Sequence, residues 1–440
     1  MDYLLPLQLY ANNNMFTKIL QYVWFSIKFI CSHLWNSILY VLSLLKKGFP
    51  WTLCVIIPSI ILFIYITIRL LYPFWSWQPI YHKYDIWRIF KTTPYIINET
   101  IPPINKYYNP RSILTTSFLN TNEDEQRKII SFLQSNYTVG ENIIYLLSLS
   151  YLQTVLSGHS KQTMISIQRS PEQLPFVDIW LGLMISFPVQ MVYNQTNITT
   201  ANYWYTITSD KFVKNKNSTR ELIQTHERKC RNAMIDIKAS LFKKEVYLCD
   251  GVVPTLELYS YTFLLPPPKD VVLPNSILFQ RVSDKKYDND IIVEFIDSIT
   301  TEFQWVVYPS LPYINQMLKK EYLFMYMLTD SQNKPIAYYV FKHTCVFYEE
   351  SEGYALQLLG SFQKCSPFVF QLGLMKSLHD IIVTSNKREI NYKMLWVDSI
   401  SHNAKLDFGQ PIFKNRSAYY TYNMIYPKSP FYPELSFVFL

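Results

Sequence analysis

Scarcity of glycine excludes several ligand-binding folds for this chain. Only nine of its 440 residues are glycine, against roughly 7% in average proteins. The dinucleotide fingerprint and the Walker loop each need several glycines close together, and neither motif occurs here. A ligand that carries phosphate would therefore have to be held by side chains and helix ends.

Charge and cysteine usage narrow the function classes further. The chain has 41 basic and 33 acidic residues, a net charge of +8. This balance permits an anionic ligand, but no polybasic tail is present, so we expect no nucleic-acid partner. The six cysteines lack CxxC spacing and the histidines lack HExxH spacing. We therefore expect no metal site, and a reducing compartment is the simpler interpretation.

The N-terminal part is strongly apolar. Trp51–Ile68 contains 18 residues without a charge, the lower limit for a membrane span. We predict a transmembrane helical segment here, and a buried core helix is the alternative. A second apolar run, Phe29–Leu45, would form either a second span or an interfacial helix. Residues 1–70 are thus predicted to be a membrane anchor of one or two apolar helices, with its orientation open.

From about residue 80 onward, helical patterns alternate with short β-branched and aromatic runs, which predicts an α+β body. A break at Pro266–Pro268 divides it into halves with a similar order of elements, which weakly indicates a duplicated unit. The predicted helices are 122–133, 219–237, 291–301 and 368–384. The predicted strands include 186–192 and 203–208, which form a hairpin, and 245–253.

Two segments have the residue types of a ligand site. Tyr72–Ile80 holds four aromatic residues and two prolines, a rigid surface able to stack on a planar ligand or an aromatic belt at a membrane exit. In Tyr203–Arg220 an aromatic strand leads into a lysine-rich loop and then a helix start that Ser218 or Thr219 can cap. The lysines and the free N–H groups would bind an anion, and a solvated loop is the alternative.

The chain ends in an apolar strand, Glu434–Leu440. A strand of this kind would bury its terminal carboxylate, and burial without a cation raises the pKa of a carboxylate and makes it a stronger base. The alternative is an ordinary edge strand whose end lies in water.

Taken in order with weaker motifs, these segments resemble the N-myristoyltransferase family. Tyr72–Ile80 is similar to that family's YxFWxTQPV signature, and Tyr203–Ser218 to its INFLCVHKKLRSKRVA strand and basic loop. Weaker similarities follow the family order across residues 72–440, at Ser148–Leu156, Gly182–Pro188, Gly251–Thr255 and Phe408–Asn423.

The resemblance implies two fused GNAT-type units around a saddle-shaped mixed sheet. Residues 71–265 would be an N-terminal acyl-CoA-binding unit and residues 266–440 a C-terminal peptide-binding unit. The implied enzyme is an N-acyltransferase that moves a myristoyl or similar fatty acyl group from acyl-CoA to the N-terminal glycine amine of proteins. Its implied co-substrate is myristoyl-CoA and its implied acceptors are peptides or proteins with an N-terminal glycine. The predicted anchor adds membrane lipid to the expected partners. We expect a membrane-anchored protein whose catalytic domain is cytosolic.

The resemblance also implies roles for individual residues. Backbone N–H groups of Thr206 and Ile207 would form the oxyanion hole, and a one-residue slip would move it to Tyr205 and Thr206. The carboxylate of Leu440 would deprotonate the attacking ammonium. The implied CoA-binding residues are Tyr72, Phe74 and Trp75 at the adenine end, and Lys214, Asn215, Lys216, Asn217 and Ser218 at the phosphates.

One departure from the family pattern bears on specificity. Gln410, Pro411 and Ile412 stand where the family has GDG, so we expect an altered acceptor preference. The alternative function is that of a catalytically silent relative, a membrane-bound scaffold that binds peptide or lipid. Acyl transfer separates the two hypotheses, because a scaffold binds without turnover.

Overall fold

The structure is a computed structural model. It describes residues 32, 35–37, 39, 40, 43 and 51–440, apart from 87–89, 102, 138–141, 171–178, 212–216, 266, 268 and 284–287. The chain separates into two compact units, Met1–Pro73 and Phe74–Leu440.

The first unit contains helix α1, Trp51–Leu71. Among the residues that the structure describes, no helix combines the length and the apolar composition needed to cross a membrane. The predicted transmembrane segment, and the membrane-anchored location that rested on it, are therefore wrong. Most of the second predicted apolar run, 29–45, lies outside the described residues.

The second unit contains helices and strands in mixed order, which confirms the predicted mixture of α and β structure. Its helices are α2 Glu123–Asn136, α3 Leu149–Ser157, α4 Ser218–Ala233, α5 Asp288–Glu302, α6 Leu311–Lys319 and α7 Pro367–Asn386. Its strands are β1 Tyr95–Ile96, β2 Ile113–Ser117, β3 Ile143–Tyr145, β4 Met164–Arg169, β5 Trp180–Tyr193, β6 Asn197–Ser209, β7 Ala239–Glu245, β8 Leu256–Leu264, β9 Leu278–Val282, β10 Trp305–Pro309, β11 Leu323–Thr329, β12 Pro335–Tyr348, β13 Gly353–Gln363, β14 Tyr392–Asp398, β15 Phe413–Tyr422, β16 Met424–Ile425 and β17 Ser436–Val438.

Local sequence signals explain where two of the predicted helices begin. The Asn122 side chain accepts a hydrogen bond from the Glu125 N–H, and the Glu125 carboxylate accepts one from the Asn122 N–H. This reciprocal pair satisfies two donors that the first turn leaves free. At α7 the Ser366 side chain accepts from the Val369 N–H, and Pro367 occupies the first turn, where its missing N–H costs nothing.

Fifteen of the described strands form one mixed sheet. Its main path runs β17-β10-β5-β6-β7-β15-β8-β14-β13-β12-β11-β9, with β4 on β5, β2 on β4 and β3 on β12. Three neighbouring pairs are parallel: β6 with β7, β10 with β17 and β13 with β14. This one sheet contains strands from before and after residue 266, so both predicted halves contribute to it. The division into two GNAT-like units remains a proposal.

The β5–β6 hairpin confirms one prediction and extends it. Both strands are longer than predicted, and the turn between them is only residues 194–196, where Asn194 and Gln195 take positive φ angles. The next strand was predicted in the wrong place, because β7 ends at Glu245 rather than beginning there. Val246 has φ 62°, a left-handed conformation that is costly for a β-branched residue and ends the extended chain.

Candidate active site

A cavity of about 560 Å³ opens where the paired strands β6 and β7 part. The two strands pair only over Ala201–Tyr203 and Ala239–Leu241. Beyond that point, side chains of β6 line one wall and Lys243 and Glu245 of β7 line another. Separation of two parallel strands leaves main-chain groups of each without a partner in the other, available to a ligand.

A β-bulge on β6 lies at this cavity. Ile185 of β5 pairs with Thr206, but the next residue, Ser186, pairs with Trp204. Tyr205 is therefore the extra residue, and the consecutive residues Tyr205 and Thr206 both line the cavity at the bulge. The bulge thus interrupts the regular pairing of β5 with β6 next to the cavity.

The predicted catalytic residues have different surroundings. Thr206 lines the cavity, whereas the Ile207 side chain packs against an aromatic cluster that contains Phe74 and Phe242. Alternation along a strand explains this difference, since neighbouring side chains point to opposite faces. The structure thus places Thr206 at the cavity, and Ile207, the next residue of β6, is not among the residues that line it.

The end of the chain reaches the same cavity. Strand β17 pairs in parallel with β10, and the Phe439 N–H donates to the Val307 carbonyl at 2.8 Å. Leu440 follows, is buried, and lines the cavity. Leu440 and Thr206, 234 positions apart in the sequence (440 minus 206), therefore lie at one site.

A buried lysine that the sequence analysis did not identify contacts Leu440. Lys342 of β12 donates from Nζ to the Leu440 oxygen at 3.2 Å, and its Nζ lies 5.8 Å from the centre of the Tyr205 ring. Burial lowers the pKa of Lys342 to about 8. One signal was present in the sequence, because Lys342 is the only Lys or Arg within the 14 residues of the apolar strand Pro335–Tyr348.

Tyrosines line much of the cavity. The hydroxyl groups of Tyr145 and Tyr205 lie 3.5 Å apart, and the Tyr151 hydroxyl donates to the His343 carbonyl. Burial raises the pKa of Tyr205 to about 12 and the pKa of Tyr145 well above its ordinary value. These hydroxyls stay protonated near neutral pH and can act as donors, but they are not bases. The lining tyrosines are 137, 145, 151, 203, 205, 261, 348 and 419.

An ion cluster lines another part of the cavity. Lys243 Nζ lies 2.8 Å from a Glu245 oxygen and 2.9 Å from an Asp398 oxygen. Burial lowers the pKa of Lys243, and the two carboxylates more than offset this, so its pKa is raised overall. Lys243 lowers the pKa of the Glu245 carboxyl. Ser260 donates to Asp398 at 2.5 Å. The cluster keeps three charged groups at the wall of the cavity.

The predicted CoA-binding aromatics pack on other aromatic residues of the chain. Phe74 is buried, and Trp75 stacks on Phe242 with ring centres 5.7 Å apart and an interplanar angle of 6°. Neither residue lines the 560 Å³ cavity. Tyr72 lies in the other compact unit, where its N–H donates to the Ile68 carbonyl and closes α1.

The predicted phosphate site is described only in part. Lys214, Asn215 and Lys216 lie outside the described residues. Asn217, which is exposed, holds the N-cap position of α4 without a side-chain capping bond. The Ser218 hydroxyl is buried and donates to Gln168 at 2.5 Å, so it does not cap the helix as predicted.

Known proteins were compared with this chain by sequence and by structure. No protein-family model matches the sequence, and no curated protein matches it significantly. A structure of Saccharomyces cerevisiae N-myristoyltransferase with bound myristoyl-CoA matches with a TM-score of 0.60 at 12% identity, covering 80% of this chain and 93% of that one. Another, with bound myristoyl-CoA and inhibitors, gives 0.61 at 13%, covering 84% and 95%. This chain therefore has the N-myristoyltransferase fold, as its motifs predicted.

Proposed function

We propose that this protein is an acyl-CoA N-acyltransferase that moves a myristoyl or similar fatty acyl group to the N-terminal glycine amine of a protein or peptide. The observation that carries the proposal is the cavity that Thr206 and Leu440 both line. It lies in a fold shared with an N-myristoyltransferase whose structure contains myristoyl-CoA.

The first step requires a base and an electrophile in one place. The acceptor ammonium gives one proton to the Leu440 carboxylate, and its nitrogen then attacks the thioester carbonyl carbon. Negative charge develops on the carbonyl oxygen, where the N–H groups of Thr206 and Ile207, or of Tyr205 and Thr206, would stabilise it. Removing one such donor typically costs about 10² to 10³ in rate.

Collapse of the intermediate completes the reaction. The carbon–sulfur bond breaks, the amide forms, and CoA leaves as a thiolate that takes the second proton of the nitrogen. Phe74 and Trp75 would pack on the CoA, while Lys214, Asn215, Lys216, Asn217 and the main-chain N–H of Ser218 at the start of α4 would hold its phosphates. The positive end of α4 favours this assignment, since the helix dipole attracts anions.

The test is transfer from myristoyl-CoA to a peptide that begins with glycine, measured by mass spectrometry. We expect the peptide to gain one acyl group, and the same peptide with an acetylated N-terminus to gain none. A set of acyl-CoA chain lengths defines the preferred donor. Binding of acyl-CoA without turnover on any glycine peptide would instead support the silent scaffold, and the absence of both binding and turnover would overturn the acyl-CoA site.

A further inference from the structure

Lys342 lies on an interior strand of the sheet, where a buried charged side chain is unusual. In β12 it pairs with Leu323 of β11 on one side and Gln357 of β13 on the other. Its side chain is buried and lines the same cavity as Thr206 and Leu440. Burial of an ammonium group in a protein requires a partner that compensates for lost solvation.

The Leu440 oxygen is the partner that the structure offers. Its distance from Lys342 Nζ, 3.2 Å, is that of a hydrogen bond. Within the described part of the chain, no aspartate or glutamate oxygen lies within 4.0 Å of this Nζ. Lys243, Glu245 and Asp398 line the same cavity but pair with one another. Three further titratable groups near Lys342 are Tyr205 of β6, Cys345 of its own strand and His159 beyond α3. None of these three is an anion at neutral pH.

We propose that Lys342 is a positioning residue for acyl transfer, whose Nζ holds the terminal oxygen of Leu440 in the cavity and whose charge lowers the pH at which that oxygen can accept a proton. The inference rests on the proposed function for its catalytic meaning. The contact between the two groups can be tested without it.

Two physical effects follow from the pairing. An ammonium within hydrogen-bond distance of a carboxylate favours the charged form and lowers its pKa, by about 1 to 3 units for a close pair. The terminal oxygen then remains an available base at lower pH. The hydrogen bond also restricts rotation of the last residue, and a misplacement of about 1 Å at a reacting centre can cost about 100-fold in rate.

The contact is tested by carbon-13 NMR of protein labelled with [1-¹³C]leucine. Among the leucine carbonyl carbons only that of Leu440 can be a carboxylate, so its chemical shift reports its own titration. In Lys342→Gln we expect its pKa to rise by about 1 to 3 units. Lys342→Arg keeps the charge and should restore the low value. Lys364→Gln removes an exposed lysine outside the cavity and should change nothing.

The catalytic consequence is tested by the pH profile of kcat at saturating acyl-CoA and peptide. In Lys342→Gln the acidic limb should move to higher pH by the same amount as the NMR pKa, with Lys342→Arg near wild type. A folded Lys342→Gln protein, verified by near-ultraviolet circular dichroism, whose Leu440 pKa equals that of wild type would overturn the inference. If wild type transfers no acyl group but the NMR shift occurs, the proposed function fails and the contact stands.

Discussion

The ring of Phe437 occupies the space directly over Gly360. A Cβ added at Gly360 of β13 would lie 2.6 Å from the ring Cζ of Phe437, well inside van der Waals contact. Glycine therefore permits β17 to pack against this strand three residues before the chain reaches Leu440. A residue with a Cβ at this position would require the Phe437 ring or the β13 backbone to shift.

Gly360→Ala should destabilise the protein by about 1 to 3 kcal/mol, the usual cost of overpacking a core. Denaturant unfolding followed by circular dichroism measures this free energy. Phe437→Leu in the Gly360→Ala protein shortens the opposing side chain and should recover part of the loss. A cycle of the two substitutions should give a coupling energy of about 0.5 to 3 kcal/mol, and strictly additive effects would show that the contact does not exist.

Leucine variants of Trp75 and Phe242 test the CoA assignment. Each substitution breaks the Trp75–Phe242 stack, which should cost about 0.5 to 1.5 kcal/mol of stability beyond the loss of buried area. Phe242→Leu also removes the stacks on Trp204 and Tyr420, so it should destabilise the protein more. Only Trp75 is assigned to the CoA. Isothermal titration with acyl-CoA should therefore show weaker binding for Trp75→Leu than for Phe242→Leu. Equal affinities in the two variants would remove Trp75 from the binding site.

Two substitutions at Thr206 test whether its main-chain N–H acts in catalysis. Thr206→Val keeps the N–H and should leave kcat within a few fold of wild type. Thr206→Pro removes the N–H and should lower kcat by about 10² to 10³. The comparison requires both proteins to show the wild-type near-ultraviolet spectrum. A folded Thr206→Pro protein with wild-type kcat would exclude this N–H from the oxyanion hole.

Acid should destabilise the fold through buried histidines. Burial lowers the pKa of His159, whose ring stacks on those of Phe187 and Tyr313, to about 4, and that of His226 to about 3. Their unfolded pKa is about 6.5, so below that pH the unfolded chain binds protons that the folded chain excludes. Stability is then complete above about pH 6.5 and falls as pH decreases toward about 4.

The slope of this loss is about 1.4 kcal/mol per pH unit for each histidine that stays neutral in the fold. Urea titrations between pH 4.5 and about 6 measure it. His159→Phe keeps an aromatic ring in the stack and should reduce the slope by about one proton. An unchanged slope in that variant would show that His159 is already protonated in the folded state.

Sequence patterns predicted several helices and strands, because helix caps and side-chain periodicity depend on residues that are close in the sequence. The acidic start after Asn122 identified α2, and the β5–β6 hairpin followed from its alternating pattern. The end of β7 could not be foreseen, because it depends on the positive φ of Val246. The apolar run at Trp51–Ile68 was misassigned because composition alone does not distinguish a membrane span from another apolar helix.

The sequence predicted those site residues that belong to ordered motifs. It did not predict those whose role depends on contacts between distant parts of the chain. Thr206 and Leu440 were assigned by motif order, and they line one cavity. The role of Lys342 depends on the pairing of β12 with neighbours from remote parts of the sequence. The stacking of Trp75 on Phe242 likewise brings together residues 167 positions apart (242 minus 75).

The most direct measurement is the rate of acyl transfer by the 440-residue protein and by a protein with one glycine added after Leu440. The addition converts the terminal carboxylate into an amide, which is not a base, and leaves the rest of the sequence unchanged. We expect acyl-CoA binding to persist and kcat to fall by about 10² or more, as loss of a general base requires. Equal kcat for the two proteins would contradict the catalytic role of the Leu440 carboxylate.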